Sequence, residues 1–341
     1  MTDASFIFLS QEDVVSAGGL DMAPTMEIVE RALRLHATGQ AVLPPKVSIH
    51  WGHDLDSEER EGRIMAMPAY VGGELDVAGL KWMPSVPGNA ARGLPRGIGM
   101  ILLSDRQTGL PVALLDGTIV SAMRTGAVGG IVALLFANPG RSLVAILGAG
   151  VQATTQLKAL ELVLPLEEVR VWDVDPERAR MFCEREARDG FALVPVNDPA
   201  DACREAPLIV AATMAPEPYV PPEWVAPGGT FLSISSFDPT IELIRQADVL
   251  VVDVWEHDID HPSRPFARAL AAGIVSREDV VQLGEVLTGL KPGRTDPTQR
   301  VFVSPVGLGI EDVAGAWRVA QRAKELGIGT PLRLWERPVW T

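Results

Sequence analysis

Apolar positions recur with three different periods along the chain. Phe6 to Leu9 reads as a short strand, followed by a short helix opened by Gln11-Glu12-Asp13-Val14-Val15. A second helix runs from Pro24 to His36, with Ile28, Ala32, Leu33 and Leu35 spaced as one buried stripe. Between residues 41 and 120 the period shortens. KVSIHW, GRIMAMPAYV, VAGLKWMPSV, GIGMILLSD and LPVALLDGT alternate with Gly and Pro, as in an antiparallel or mixed sheet joined by turns. The charged stretch Asp54 to Glu61 reads as a solvated hairpin loop. From residue 119 the pattern changes again: IVSAMRTGAVGGIVALLFA is a helix of small residues suited to close packing. Strand candidates at 143–147, 169–172, 208–212, 230–234 and 249–253 then alternate with helical stretches, which argues for a parallel sheet with helical crossovers. Ile310 to Leu326 is helical once more.

A length of 341 residues suggests two domains. Thirty basic against forty-four acidic residues give a net charge of −14, so nucleic acid and anionic membranes are poor partners, although local basic pockets for small anions are compatible with it. The two cysteines, Cys183 and Cys203, exclude a disulfide scaffold and fit a reducing, cytoplasmic setting. No apolar run is read as long enough to span a membrane, and the start lacks the pattern of a signal peptide.

The chemistry begins at Leu143 to Leu147, a buried-strand pattern that runs into Gly148-Ala-Gly150-Val-Gln-Ala153 and then a helix. In this G-x-G-x-x-A, the first glycine permits a tight turn. The second lets backbone approach a pyrophosphate, and the small third residue lets helix and strand pack closely. A second strand ends at Asp173, twenty residues past Ala153, where a carboxylate accepts from ribose hydroxyls and repels a 2′-phosphate. The expected cofactor is therefore NAD. In the first half, Lys81 interrupts an apolar strand and Arg124 lies among small residues at a helix start. A buried cation needs an anion. That anion is either a structural salt-bridge partner or a substrate carboxylate.

The chain resembles the ornithine cyclodeaminase/mu-crystallin family over nearly its whole length. The markers are Pro44-Pro45-Lys46, Met67-Pro68, Leu80-Lys81-Trp82, Pro87-Gly88-Asn89, Thr108-Gly109, Asp116-Gly117, Arg124-Thr125, Gly148-Ala-Gly150, Asp238 with Glu242-Leu243, Gly284-Glu285, Pro292-Gly293-Arg294, and Val306-Gly307 with Asp312. The resemblance implies an α/β fold: a Rossmann dinucleotide-binding domain at 128–311 and a mixed α/β substrate-binding and dimerisation domain at 1–127, to which a C-terminal helix at 312–341 returns. It implies a homodimer, with the active site in the cleft between the domains. Lys81 and Arg124 match the family's carboxylate binders, and Asp238 its base; Lys81 and Asp238 form the expected catalytic pair. Lys46, Met67 and Arg96 complete the substrate set. Thr125, Gly148, Gly150, Val151, Gln152, Asp173, Thr213 and Ser235 form the cofactor set. No metal is expected: His257 and His261 are followed by Pro262 and lack a third ligand. His50 and His53 read as surface or turn residues, Trp82 as a core aromatic or a wall of the site, and Asp312 as structural.

Departures from the family pattern carry the substrate reading. Met65 stands where cyclodeaminases resembling this chain carry Glu, Lys46 where an Arg is frequent, and Arg96 where a Thr is frequent. These shift the pocket toward positive charge and toward an amino acid or imine with one or more carboxylates, or a phosphate. GRIMAMP, LKWMPSVPGN and GLPRG look most like the branch of N-(2-amino-2-carboxyethyl)-L-glutamate dehydrogenases, which release 2,3-diaminopropionate and 2-oxoglutarate in siderophore pathways. The alternatives are an imine or ketimine reductase or amino acid dehydrogenase, an ornithine cyclodeaminase, and a non-catalytic binding protein like mu-crystallin.

Overall fold

The computed structural model describes residues 4–52, 60–138 and 142–340. His53 and most of the expected charged loop fall outside these. The chain divides into two compact units, Met1–Arg124 with Leu308–Thr341, and Thr125–Gly307. It passes between them at Arg124/Thr125 and Gly307/Leu308, against the expected 127/128 and 311/312.

The first unit opens with β1 (Ala4–Leu9), α1 (Gln11–Ser16) and α2 (Met22–Ala37). Ser10 and Asp13 form a reciprocal capping box on α1. Pro24 sits in the first turn of α2, where no intrahelical N–H is needed, so the helix begins at Met22. β2 (Ala41–Val42), β3 (Val47–Gly52), β4 (Arg60–Val71), β5 (Val77–Ser85), β6 (Met100–Asp105) and β7 (Pro111–Asp116) follow, close to the expected segments. The chain then enters α3 (Gly117–Phe136) and crosses into the second unit.

The second unit contains β8 (Leu143–Leu147), α4 (Val151–Val163), β9 (Glu168–Trp172), α5 (Pro176–Glu186), β10 (Ala192–Pro195), α6 (Pro199–Cys203), β11 (Leu208–Ala211), β12 (Thr230–Ser233), α7 (Ile241–Arg245), β13 (Val249–Val252), α8 (Trp255–Ile259), α9 (Pro265–Ala271), β14 (Val280–Gln282), α10 (Leu283–Leu287) and β15 (Val301–Ser304). Its eight strands run in the order β10-β9-β8-β11-β12-β15-β13-β14, and every pair is parallel. Chain order reverses between β8 and β11, the switch point at which Rossmann sheets bind nucleotides.

The chain returns to the first unit through α11 (Gly309–Leu326) and β16 (Thr330–Trp335). The expected helix over 312–341 is corrected here: it ends at Leu326, where Gly327 adopts a left-handed φ of +68°. β16 then pairs antiparallel with β1. Gly329 is required at this junction, since a Cβ there would meet the Leu9 side chain at 2.5 Å. The first sheet runs β16-β1-β7-β6-β5-β4-β2, with β3 also on β4. Its odd-numbered face carries Met67, Ala69, Val71, Val77, Ile101 and Leu103, all buried, and α11 packs against β4, β5 and β6.

α3 corrects the expectation that no segment is long and apolar enough to cross a membrane; by length and composition it is. Yet 67% of that window is buried inside the protein. Its small residues serve helix packing instead. A Cβ on Gly126 would lie 2.4 Å from the Thr155 carbonyl, and one on Gly129 would lie 1.7 Å from Gln156 Oε1. Gln156 Nε2 donates to the Thr125 carbonyl at 2.9 Å, which locks α4 against α3.

Candidate active site

Apart from Thr125, which lies in α3, the nucleotide-binding candidates lie along the carboxyl edge of the second unit's sheet. Gly148 ends β8 with φ +98°, and a Cβ there would meet the Ala212 carbonyl at 2.7 Å. Only glycine allows the β8 and β11 ends to approach this closely. Gly150 caps α4, and a Cβ built on it meets nothing within 4 Å. Open space therefore stands before the first-turn N–H groups of α4, as a pyrophosphate requires. Val151, the first helical residue, is 69% exposed beside it. Gln152 accepts from the Thr155 hydroxyl through its carbonyl and its Oε1. Asp173 follows β9 and is buried; Oδ2 accepts from Ala149 N at 2.8 Å and Oδ1 from Asp175 N at 3.1 Å. A carboxylate has about four acceptor positions, so capacity for ribose hydroxyls is left. Arg178 Nη1 stands 4.0 Å from it.

Thr213 and Ser235 follow β11 and β12. Ser235 N donates to the Ala211 carbonyl at 3.3 Å, which joins the two strand ends. The Thr213 hydroxyl donates to Asp238 Oδ1, and Tyr219 N and Val220 N donate to the Asp238 carbonyl at 3.0 and 2.9 Å. Asp238 is fully buried, and its Oδ2 has no hydrogen-bond partner among the described residues. Burial holds this carboxyl above the usual range, against the Thr213 and Tyr219 hydroxyls. Asp238 does not cap α7; Thr240 does, accepting from Leu243 N at 3.4 Å.

The first unit holds a buried ionic cluster. Lys81 is 2% exposed on β5, and its Nζ lies 2.7 Å from Asp312 Oδ2 and donates to Ser121 Oγ at 3.0 Å. Arg124 Nη1 meets Glu311 Oε2 and its Nε meets Asp312 Oδ1, each at 3.0 Å. Glu311 and Asp312 come from the first turn of α11, where Glu311 also accepts from Leu308 N at 3.1 Å. The two cations thus face two carboxylates already supplied by the chain. Burial pulls the Lys81 ammonium down to about 8; Asp312 opposes that pull and Arg124 adds to it. The two acids are the residues that sequence reasoning left out of the cluster. Their signal was adjacent acidic residues opening an otherwise apolar helix, Ile310 to Ala316.

The remaining substrate candidates separate. Met67 is buried and opposes Lys81 in the β4–β5 ladder. Lys46 precedes β3, two residues before Ser48, which faces Met65. Arg96 pairs with Val86, next to the Ser85–Gly97 bridge. Arg96 itself lies in a bend between β5 and β6. Trp82 is 41% exposed on the face of β5 opposite to Lys81, so it neither fills the core nor flanks Lys81.

Comparison with known proteins places these features in a lineage. Residues 6–327 match the model of the ornithine cyclodeaminase/mu-crystallin family. An alanine dehydrogenase from Archaeoglobus fulgidus is 34% identical over 96% of this chain and 98% of its own. The N-((2S)-2-amino-2-carboxyethyl)-L-glutamate dehydrogenase of Staphylococcus aureus is 30% identical over the same shares. The solved structure of an archaeal alanine dehydrogenase dimer with bound NAD has a TM-score of 0.85 and 33% identity, covering 97% of this chain and 100% of that one. The chain belongs to the ornithine cyclodeaminase/mu-crystallin family.

Proposed function

We propose that the protein is an NAD-dependent oxidoreductase acting on the C–N bond of an N-substituted amino acid, in the manner of the N-(2-amino-2-carboxyethyl)-L-glutamate dehydrogenases, releasing 2,3-diaminopropionate and 2-oxoglutarate. The observation that carries the NAD reading is the pair of residues beside the β8/β11 switch point, Gly150 and Asp173. Gly150 leaves room for a pyrophosphate, and Asp173 offers a carboxylate to a ribose. Similarity to dehydrogenases over nearly the whole chain supports the reaction class.

When bound, NAD supplies the acceptor for the hydride leaving the substrate carbon. The protein's own residues do the rest. Lys81 and Arg124 orient the substrate carboxylate while Glu311 and Asp312 keep both cations fixed; positioning of this kind lowers a barrier by as much as about 7–11 kcal/mol. Asp238 takes the proton of the water that adds to the resulting iminium and returns it to the nitrogen, so that the C–N bond breaks with the amine leaving, while the hydroxyl proton is lost and the 2-oxo group forms. Its Oδ2 is the oxygen open to that proton, and burial brings its proton affinity toward the working range. Asp238→Asn is expected to keep nucleotide binding and lose turnover by 10²-fold or more, on the order of a general base's contribution. Undiminished turnover would remove Asp238 from this role. The second reading, an amino acid dehydrogenase or imine reductase, uses the same residues in the reductive direction and draws on the likeness to alanine dehydrogenase.

The proposal extends to a cytoplasmic homodimer. On the face of the first sheet opposite α11, Val47, Ile49, Trp82, Met100 and Leu102 are exposed together. An apolar face of this kind requires a cover. A second copy is the occupant, in keeping with the similar alanine dehydrogenase dimer.

A further inference from the structure

We infer that Asp173 fastens the glycine loop as well as meeting the ribose, so that one carboxylate sets both the affinity for the pyrophosphate and the choice of NAD over its 2′-phosphorylated form. The inference rests on the NAD reading above and gives Asp173 a positioning role besides sugar recognition.

The loop Gly148–Gly150 leaves the sheet where its backbone pairing runs out. The β8–β9 ladder ends at the pair Leu147 and Trp172, and Gly148 N still donates to the Trp172 carbonyl at 2.7 Å. The next donor along the loop, Ala149 N, finds a side chain instead of a strand: it donates to Asp173 Oδ2 at 2.8 Å. The carboxylate thus carries the ladder one hydrogen bond further, into the loop itself. Ala149 and Asp173 are each only 7% exposed, so water does not readily take over as acceptor if the carboxylate is removed. At the far end of the loop, Gly150 caps α4 without a side-chain hydrogen bond. The tie between Ala149 and Asp173 therefore bears on the placement of Val151 and Gln152, whose N–H groups open α4 and have no partner within the helix.

The carboxylate is fixed in its turn. Its Oδ1 accepts from Asp175 N at 3.1 Å, and Asp175 caps α5 by accepting from Glu177 N at 3.1 Å. Loop, carboxylate and the start of α5 form one hydrogen-bonded chain. Each oxygen keeps capacity for a ribose hydroxyl. A 2′-phosphate, however, meets a negative group that cannot swing aside, because both of its oxygens are held by backbone donors. Removing the side chain lifts that repulsion but frees the loop at the same time. Truncation alone therefore does not convert the protein to NADP.

The test compares Asp173→Ala with Asp173→Asn, whose side-chain oxygen can still accept from Ala149 N but carries no charge. Hydrogen–deuterium exchange of the ligand-free protein reads the loop directly. In a fragment covering residues 147–152, one amide protected in the parent should exchange about tenfold faster in Asp173→Ala and stay close to the parent in Asp173→Asn. Calorimetric titration with 2′,3′-dideoxy-ADP, which has a pyrophosphate and no ribose hydroxyl, should show a loss of affinity of about tenfold in Asp173→Ala that Asp173→Asn restores. With NADP⁺, Asp173→Asn should bind more tightly than the parent, and Asp173→Ala should not. If Asp173→Ala leaves either the amide protection or the affinity for the hydroxyl-free probe unchanged, the fastening is overturned. Parent protein that binds neither NAD⁺ nor the probe would instead count against the cofactor reading, while the exchange still decides the role of Asp173.

Discussion

Lys81 and Arg124 are tolerated inside the first unit because Asp312 touches both and Glu311 touches the arginine. Removing one partner of such a set strands a buried charge, at a cost of about 3–5 kcal/mol. Asp312→Ala should therefore lower unfolding stability by that amount in a denaturant titration. A loss under 1 kcal/mol would show that the cluster is solvated. The cations were legible in the sequence because charge stands out in an apolar strand. Their partners were not, because pairing Lys81 with a residue 231 positions away depends on α11 returning to β5. A second buried acid gives a pH test. Asp258 accepts from Phe266 N and Ser304 Oγ, and burial lifts its carboxyl to about 6. The folded protein then binds this proton more tightly than the unfolded chain. Its contribution is favourable at low pH and falls as pH rises from about 4 to 6, by roughly 2–3 kcal/mol. Asp258→Asn should flatten stability across that window, and an unchanged slope would exclude the residue as its source.

Elements with strong periodic patterns or glycine punctuation were predictable: β3 to β9, α3 and α4 lie close to their expected spans. β10, β14 and β15 were missed. Each has only three or four residues, too few to show a period, and each is ordered by parallel neighbours. β16 was read as helix because its partner, β1, is more than 300 residues away in sequence. The α3–α4 contact was half-legible. Small residues announced close packing, but not that Gly129 would lie against the Gln156 amide. Gly129→Ala must displace that buried amide and should cost about 1–3 kcal/mol as overpacking. Its melting temperature should fall while Gly150→Ala, with open space around it, melts like the parent. Equal melting of both variants with the parent would contradict the packing account.

For the whole molecule, the two-unit composition and the nucleotide motif were readable from length and local pattern. The sheet face carrying Trp82 was not, because alternation within β5 had to be anchored by knowing which side α11 covers. That face leads to an assembly prediction: Met100→Glu should convert the proposed dimer to monomer in sedimentation equilibrium, and a parent that is itself monomeric at micromolar concentration would refute it. The central claim is chemical, and absorbance of NADH tests it most directly. Purified protein with NADH, 2-oxoglutarate and 2,3-diaminopropionate should consume NADH in proportion to the secondary amine formed. If NADH persists there, while NAD with ornithine yields proline and ammonia without net change in the nucleotide, the protein is a cyclodeaminase and the C–N oxidoreductase account is contradicted.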